Sequence, residues 1–345
     1  MTASIGVLAL PARERAGRTA LKLFAALLWA GVIVFFSFRA VPTSLDDNNY
    51  IHYFNGTETE YVVSRSAVDR AYVYVTNEPA WRLYCYLMGS AFSPEDCVRI
   101  TIGLGLLLLA IAAFLGGRPL LFLAMYVVNA GLLFNINYTQ IRQGFALAVF
   151  LLAIRFCRSF KISAFLACLI HSSFILLVMA AFARGVKTRS QLLLAMLVSS
   201  IGGLVLFTQV GVSGLLGRRT QYLSWNDSNN LNFWIGSIAF MIAAFLLARW
   251  YAHKKNDISR QVEMLDISVF NSIGAMLFSI LLAPVAGRFM LNSDALQISA
   301  LSDRKVPRDE PFWLFLGGWM VFQAYELHSH IGKGLDFFVT FHSLL

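Results

Sequence analysis

Long apolar runs separated by short polar or basic stretches set the pattern of this chain. They fall at Leu21–Phe38, Val98–Leu115, Leu120–Phe134, Gly144–Phe156, Ile162–Phe182, Leu192–Phe207, Phe233–Trp250, Leu265–Leu282 and Phe312–Tyr325. Several approach the roughly 20 residues that a helix needs to cross a bilayer. The pattern predicts an all-α, polytopic transmembrane helical bundle with about 8–10 membrane segments, one of them re-entrant around His171. It forms one integral membrane domain over residues 1–345, with external loops at 39–79 and 209–232 and a core motif region at 135–183.

Local signals mark some element ends. Ser93 can cap a helix that opens with Pro94, and Glu95 and Asp96 favour its first turn. Gly116-Gly117-Arg118-Pro119 predicts a tight turn, and Asn135–Gln140 a short outer loop. Ala80–Phe92 is short and interrupted by Arg82, which suits an interfacial or re-entrant helix with Trp81, Tyr84 and Tyr86 at headgroup level.

Composition agrees with the pattern. With 58% hydrophobic and only 14% charged residues over 345 positions, a soluble globular chain is excluded. The net charge of +9 does not signal nucleic-acid binding, because the positive residues cluster in short loops. Arg13, Arg15, Arg18 and Lys22 precede the first run and put the N-terminus in the cytoplasm. Arg155, Arg158 and Lys161 form a second basic cluster, Arg184, Lys187 and Arg189 a third, and Arg249 to Arg260 a fourth.

Only Ile162–Phe182 separates the second cluster from the third, too little chain for two crossings. A hairpin turning at His171-Ser172-Ser173 makes every later loop obey the charge rule and brings the C-terminus inside. The rival topology lets Ala80–Phe92 and Ile162–Phe182 both span, and leaves Arg155, Arg158 and Lys161 outside. The hairpin is the favoured reading.

Two residues stand out as ionisable groups in apolar runs. Arg142 opens one run, and His171 lies at least about 13 Å from either end of another if that run is helical. The plain alternatives are a snorkelling boundary arginine and a neutral imidazole bonded to a neighbouring helix. Gly144 and Ala148, four residues apart, would let the Arg142 helix approach a neighbour closely. Under the hairpin topology the outer face collects Asp46, Asp47, Glu78, Gln140, Arg142, Arg218, Arg219 and Arg288. Arginine presents a rigid fork that matches phosphate oxygens and stays charged. Tyrosines of the first external loop, Tyr50 among them, suit a sugar-facing surface. Asp46, Asp47, Glu78 and His171 are the candidate proton acceptors, and the sequence does not rank them. The four cysteines lack metal-ligand spacing, and a Cys85–Cys97 pairing is a minor alternative to free thiols.

IRQGFALAVFLLAIR, followed by a short basic loop and a run centred on His171-Ser172-Ser173-Phe174, resembles the EpsG family. Asp46 to Tyr50 and Asn77-Glu78-Pro79 extend the likeness, which covers most of the chain and is weakest after Asn292. That family comprises Wzy-like bacterial membrane proteins associated with exopolysaccharide and O-antigen polymerisation. The resemblance implies a glycosyltransferase joining repeat units on undecaprenyl diphosphate at the outer face of the bacterial inner membrane. It implies Arg142, His171, Asp46 and Glu78 as catalytic candidates, with Arg288, Gln140, Gln143, Asp47, Tyr50 and Arg218 holding substrate. The implied partners are an undecaprenyl-diphosphate-linked oligosaccharide, the lipid bilayer, and a chain-length regulator or other polysaccharide assembly proteins. No cofactor or metal is expected. A lipid-linked sugar transferase, a membrane O-acyltransferase and a non-catalytic flippase are the competing readings. The chain shows no Asp-x-Asp motif, glycine-rich phosphate loop, serine elbow or inverted repeat.

Overall fold

The computed structural model describes residues 12–44, 46–56, 78–129, 131–157, 159–183, 231–254 and 258–333. Arg218, Arg219, the third basic cluster and the run at 192–207 lie outside the described residues. The protein is an all-α polytopic membrane protein. Among the described residues the sole β feature is an isolated bridge between Gly117 and Asp303.

Among the described residues, three helices are long and apolar enough to cross a membrane, at Thr19–Ser37, Pro94–Gly116 and Gly236–His253. The first lies in α1 (Ala12–Ser37) and the second is α4 (Pro94–Gly116), after the short α2 (Asp47–Phe54) and α3 (Pro79–Gly89). The helix start read at Ser93 is present, since its hydroxyl accepts the Asp96 N–H at 3.2 Å. Gly117 ends α4 with φ +92, a left-handed conformation that glycine adopts without strain. Outward faces stay apolar: Leu27 and Phe38 near α1, and Leu314 and Val321 further on, are all more than two-thirds exposed, as lipid contact requires.

The run at 120–134 is not one helix. α5 (Pro119–Val128) stops at Asn129, and a π-helical stretch follows from Gly131 to Thr139, where a loop was expected from Asn135. Asn129 causes the break: its side-chain oxygen takes the Leu132 N–H at 2.9 Å and its amide donates to Asp294 at 2.8 Å. α6 (Ile141–Phe156) follows and packs along α4, with Gly105 of α4 set against the Phe145 backbone of α6.

The chain then turns back at His171. α7 (Phe160–Cys168) and α8 (Ile175–Ala183) lie against each other, joined through a 3₁₀ turn at Ser172–Phe174. Lys161 Nζ sits 4.3 Å from the Phe182 ring centroid. A straight helix would hold those residues about 31 Å apart.

α9 (Leu231–His253) leads into α10 (Ser259–Leu301), which also folds back. The Asn271 amide donates to the Phe289 carbonyl at 2.7 Å and to Ser293 Oγ at 2.8 Å. A straight helix would separate Asn271 from Phe289 by about 27 Å. Both ends of α10 therefore meet one end of the bundle. There Arg260 donates to the Cys157 carbonyl, and Arg155 pairs with Asp303 at 2.7 Å. Arg118 reaches the Arg304 and Val306 carbonyls at the same end, and Lys254 pairs with Asp309.

This arrangement corrects the expected course of the C-terminal third. The second arm of α10 had no counterpart among the apolar runs because Asn292, Ser293, Asp294, Gln297 and Ser299 dilute it. α11 (Glu310–Lys333) thus starts at the Arg155 end and runs away from it, instead of returning the chain there. Helices already in hydrocarbon gain little from further apolar burial, so packing and internal polar contacts hold such arms together.

Candidate functional site

At the opposite end from Arg155, the stretch after α1 is pinned by a buried ion pair. Arg39 Nη1 and Nη2 meet the two Asp47 carboxylate oxygens at 2.6 Å each, with both side chains at most 1% exposed. Thr43 N, Ser44 N and Ser44 Oγ also donate to Asp47. Burial works to raise the Asp47 pKa, but Arg39 and the Ser44 and Thr43 amides outweigh it and hold the carboxyl below its usual range. With both oxygens filled, Asp47 shapes the loop and has no free face for a substrate. Asp46 precedes α2, accepts a 3.4 Å bond from Asn49, and is electrostatically coupled to Tyr50.

α2 stacks its aromatic side chains on α3. Tyr50, Tyr53 and Phe54 all lie edge-on to Trp81, with centroids 5.9–6.3 Å away. Trp81 is fully buried and not at headgroup level; Tyr86, 74% exposed, keeps its expected surface position. Tyr84 stacks on Phe145 of α6 at 4.9 Å and shares a hydrogen bond with Thr101. The aromatic layer seats the start of α3 beside the start of α6.

Glu78 lies at that junction, immediately before Pro79. It is the one non-glycine residue with positive φ among those described, at φ 60 and ψ 65. A left-handed residue with a Cβ costs about 1–2 kcal/mol, so surrounding contacts must hold it. They are specific. Arg142 Nη1 lies 2.6 Å from Glu78 Oε2, and the Ser172 N–H donates to Glu78 Oε1 at 2.7 Å. Arg142 Nη1 also donates to Tyr53 OH at 3.1 Å, and its guanidinium lies 5.3 Å from the Tyr53 ring centroid. Ala80 N donates to the Leu169 carbonyl, which ties α3 to the hairpin turn.

His171 stands at the turn and caps it. Its Nδ1 is 3.1 Å from Ser173 N and 2.8 Å from Ser173 Oγ. A backbone N–H can only donate, so the network assigns Nδ1 as acceptor and puts the proton of the neutral ring on Nε2. Behind the turn, Asn292 of α10 donates to the Ser173 carbonyl at 3.3 Å. Gln143 of α6, fully buried, donates to the Arg288 carbonyl at 2.9 Å and to Asn292 at 3.3 Å. Gln143 thus fixes α6 to the second arm of α10 and sets the backbone that carries Arg288. The Arg288 charge is felt at both Tyr50 and His171.

Four buried polar atoms here lack a hydrogen-bond partner: Glu78 Oε2, Gln140 Oε1, Arg142 Nε and Gln143 Oε1. Glu78 Oε2 touches Arg142 closely, but the angle is not that of an aligned hydrogen bond. Buried polar groups are usually satisfied, so these four atoms are open hydrogen-bonding positions at the junction.

The structure therefore brings together Glu78, Arg142, His171, Arg288, Gln143 and Tyr50, with Gln140 adjacent in the chain. It assigns Asp47 to a separate anchoring network, and Arg218 lies outside the described residues. Tyr53, the Ser172 amide and Asn292 were missed as site members. Tyr53 carried a signal, one tyrosine among several near Asp46; the amide carried none, since a backbone donor has no sequence signature. Cys85, Cys97, Cys157 and Cys168 are all free thiols, so the Cys85–Cys97 disulfide is not formed.

Comparison with known proteins adds one positive finding: the model of the EpsG family matches residues 22–300. That span contains every site residue above. No curated protein and no solved structure matches the chain.

Proposed function

Because the chain belongs to the EpsG family, we propose that it is a polysaccharide polymerase acting on glycans linked to a lipid diphosphate. The site would lie at the outer face of a bacterial inner membrane, with the Arg155 end in the cytoplasm. The growing chain would leave its undecaprenyl diphosphate carrier and join the incoming repeat unit. Undecaprenyl-diphosphate oligosaccharides are the proposed donor and acceptor, and a chain-length regulator or other assembly protein is a proposed partner.

One observation carries this reading: Arg142, set among a carboxylate, a tyrosine hydroxyl and the charge of Arg288, at the end of a helix in a membrane protein. Leaving-group charge on a diphosphate is stabilised by fixed guanidiniums in a site of low dielectric, and no metal is needed for that. The partly buried Tyr53 ring beside Arg142 supports the same use, since a flat ring can flank a sugar face.

The test is direct. Purified protein incubated with lipid-diphosphate-linked oligosaccharide should give a ladder of longer lipid-linked products. Conversion to one product extended by a single unit would favour a simple transferase. Unchanged substrate with a folded protein would refute the polymerase.

A further inference from the structure

Glu78 is held in a left-handed backbone conformation by two contacts, the Arg142 guanidinium and the Ser172 N–H. Paired in this way, a carboxylate is a poor proton acceptor and an arginine is a poor anion site, because each satisfies the other. The pairing is imperfect: Glu78 Oε2 and Arg142 Nε both lack an aligned hydrogen bond. A diphosphate offers Arg142 more negative charge and more acceptor oxygens than one carboxylate does.

Resting on the lipid-diphosphate reading above, we propose that the Glu78–Arg142 pair is a ligand-exchanged latch, and that Glu78 is the base that deprotonates the acceptor hydroxyl. In the resting protein Arg142 holds Glu78. When the donor diphosphate arrives, Arg142 turns to it, and Glu78 loses its counter-ion while staying anchored to Ser172 N–H. The base thus becomes competent only when the donor is in place, which limits wasteful hydrolysis.

The step balances. The acceptor hydroxyl gives its proton to Glu78, and its oxygen forms a bond to the anomeric carbon of the donor sugar. The bond from that carbon to the diphosphate oxygen breaks, and its electron pair stays with the diphosphate beside Arg142 and Arg288. Release of the lipid diphosphate lets Arg142 recapture Glu78 once the carboxyl has passed its proton to solvent.

Other groups fit this role less well. Asp47 has both oxygens filled by Arg39, Thr43 and Ser44. His171 Nδ1 is occupied as the acceptor of the turn, and the neutral tautomer carries its proton on Nε2. Asp46 couples to Tyr50 and accepts from Asn49, away from the Glu78–Arg142 pair.

The latch predicts opposite signs for binding and catalysis. Glu78→Gln keeps the shape but removes the charge, so Arg142 is freed. The purified variant should bind farnesyl diphosphate about tenfold tighter than the wild type, a gain of about 1.4 kcal/mol. It should also form no product ladder from lipid-linked oligosaccharide. Arg142→Ala should lose farnesyl diphosphate binding. Glu78→Asp, which retracts the carboxylate by one methylene, should shift binding in the same direction and serves if the glutamine variant does not fold. Equal or weaker binding by a folded Glu78 variant overturns the latch and leaves the polymerase reading in place. A full ladder from Glu78→Gln overturns the base. A wild-type protein that binds no prenyl diphosphate and makes no ladder overturns the lipid-diphosphate reading, and the latch with it.

Discussion

Lys161 and Phe182 touch, with the ammonium nitrogen 4.3 Å from the ring centroid, although a whole apolar run lies between them. The contact requires the chain to reverse at His171, and it puts the turn beside Glu78 and Arg142. A run of that composition would otherwise pass as one membrane crossing. Its reversal is what converts a buried histidine and two serines into a capped loop facing an ion pair.

The reversal can be measured. In a background with the four native cysteines replaced, Lys161→Cys paired with Phe182→Cys should cross-link efficiently with a short bifunctional maleimide. Lys161→Cys paired with a cysteine at Ser172 should not. A continuous helix would place positions 161 and 182 about 31 Å apart and give no cross-link.

Arg142→Lys should cost nearly as much polymer formation as Arg142→Ala, about a hundredfold or more, with the protein still inserted at normal levels. Lysine keeps the charge but loses the planar fork, and so cannot hold Glu78, Tyr53 and a phosphate oxygen in the same geometry. The yield of polymer per unit of membrane protein decides it. Near-normal yield from the lysine variant would reduce Arg142 to a membrane anchor.

His171→Asn separates the two faces of the ring. Asparagine can present Oδ1 to the Ser173 N–H and hydroxyl, as Nδ1 does now, so thermal stability should stay within about 1 kcal/mol of wild type. It has nothing in place of Nε2, and elongation should fall at least tenfold. Melting curves and ladder formation on one preparation read both effects. If elongation survives, the histidine serves only as the cap of the turn.

Asp47 gives a prediction with a sign in pH. Its folded pKa is lowered below the ordinary carboxyl value, so its stabilising contribution is complete above that ordinary value. The contribution fades as the pH falls from about 5 and is gone once the folded carboxyl is protonated. Asp47→Asn strands the buried Arg39 and should cost about 3–5 kcal/mol at neutral pH. The melting temperature of the wild type should therefore drop on acidification, while that of Asp47→Asn starts low and changes less. Parallel pH curves for the two proteins would count against the assignment.

The aligned outcomes show where sequence reading had purchase. Ser93 was legible as a helix cap because a cap needs only a side chain and an amide three residues on. The Gly116–Pro119 turn was legible for the same reason, and the reversal at His171 was the favoured of two topologies because it keeps the basic flanks of one short run on one side. All-α membrane character followed from hydropathy averaged over local windows. The EpsG match over residues 22–300 agrees with the motif order around Arg142 and His171.

What tertiary structure alone decided depends on partners far apart in the chain. Asp47 and Glu78 read alike as external acids, yet one saturates itself on Arg39 and loop amides while the other meets Arg142 and the turn amide. The second arm of α10 looked too polar to be a membrane helix. Inside the bundle Asn292 bonds Ser173, Asp294 bonds Asn129, and Ser299 and Asp303 bond Arg155. Hydropathy sums residues as if each met lipid by itself. A polar side chain that finds its partner across the bundle no longer bears that cost, and only the folded chain determines which partner it finds.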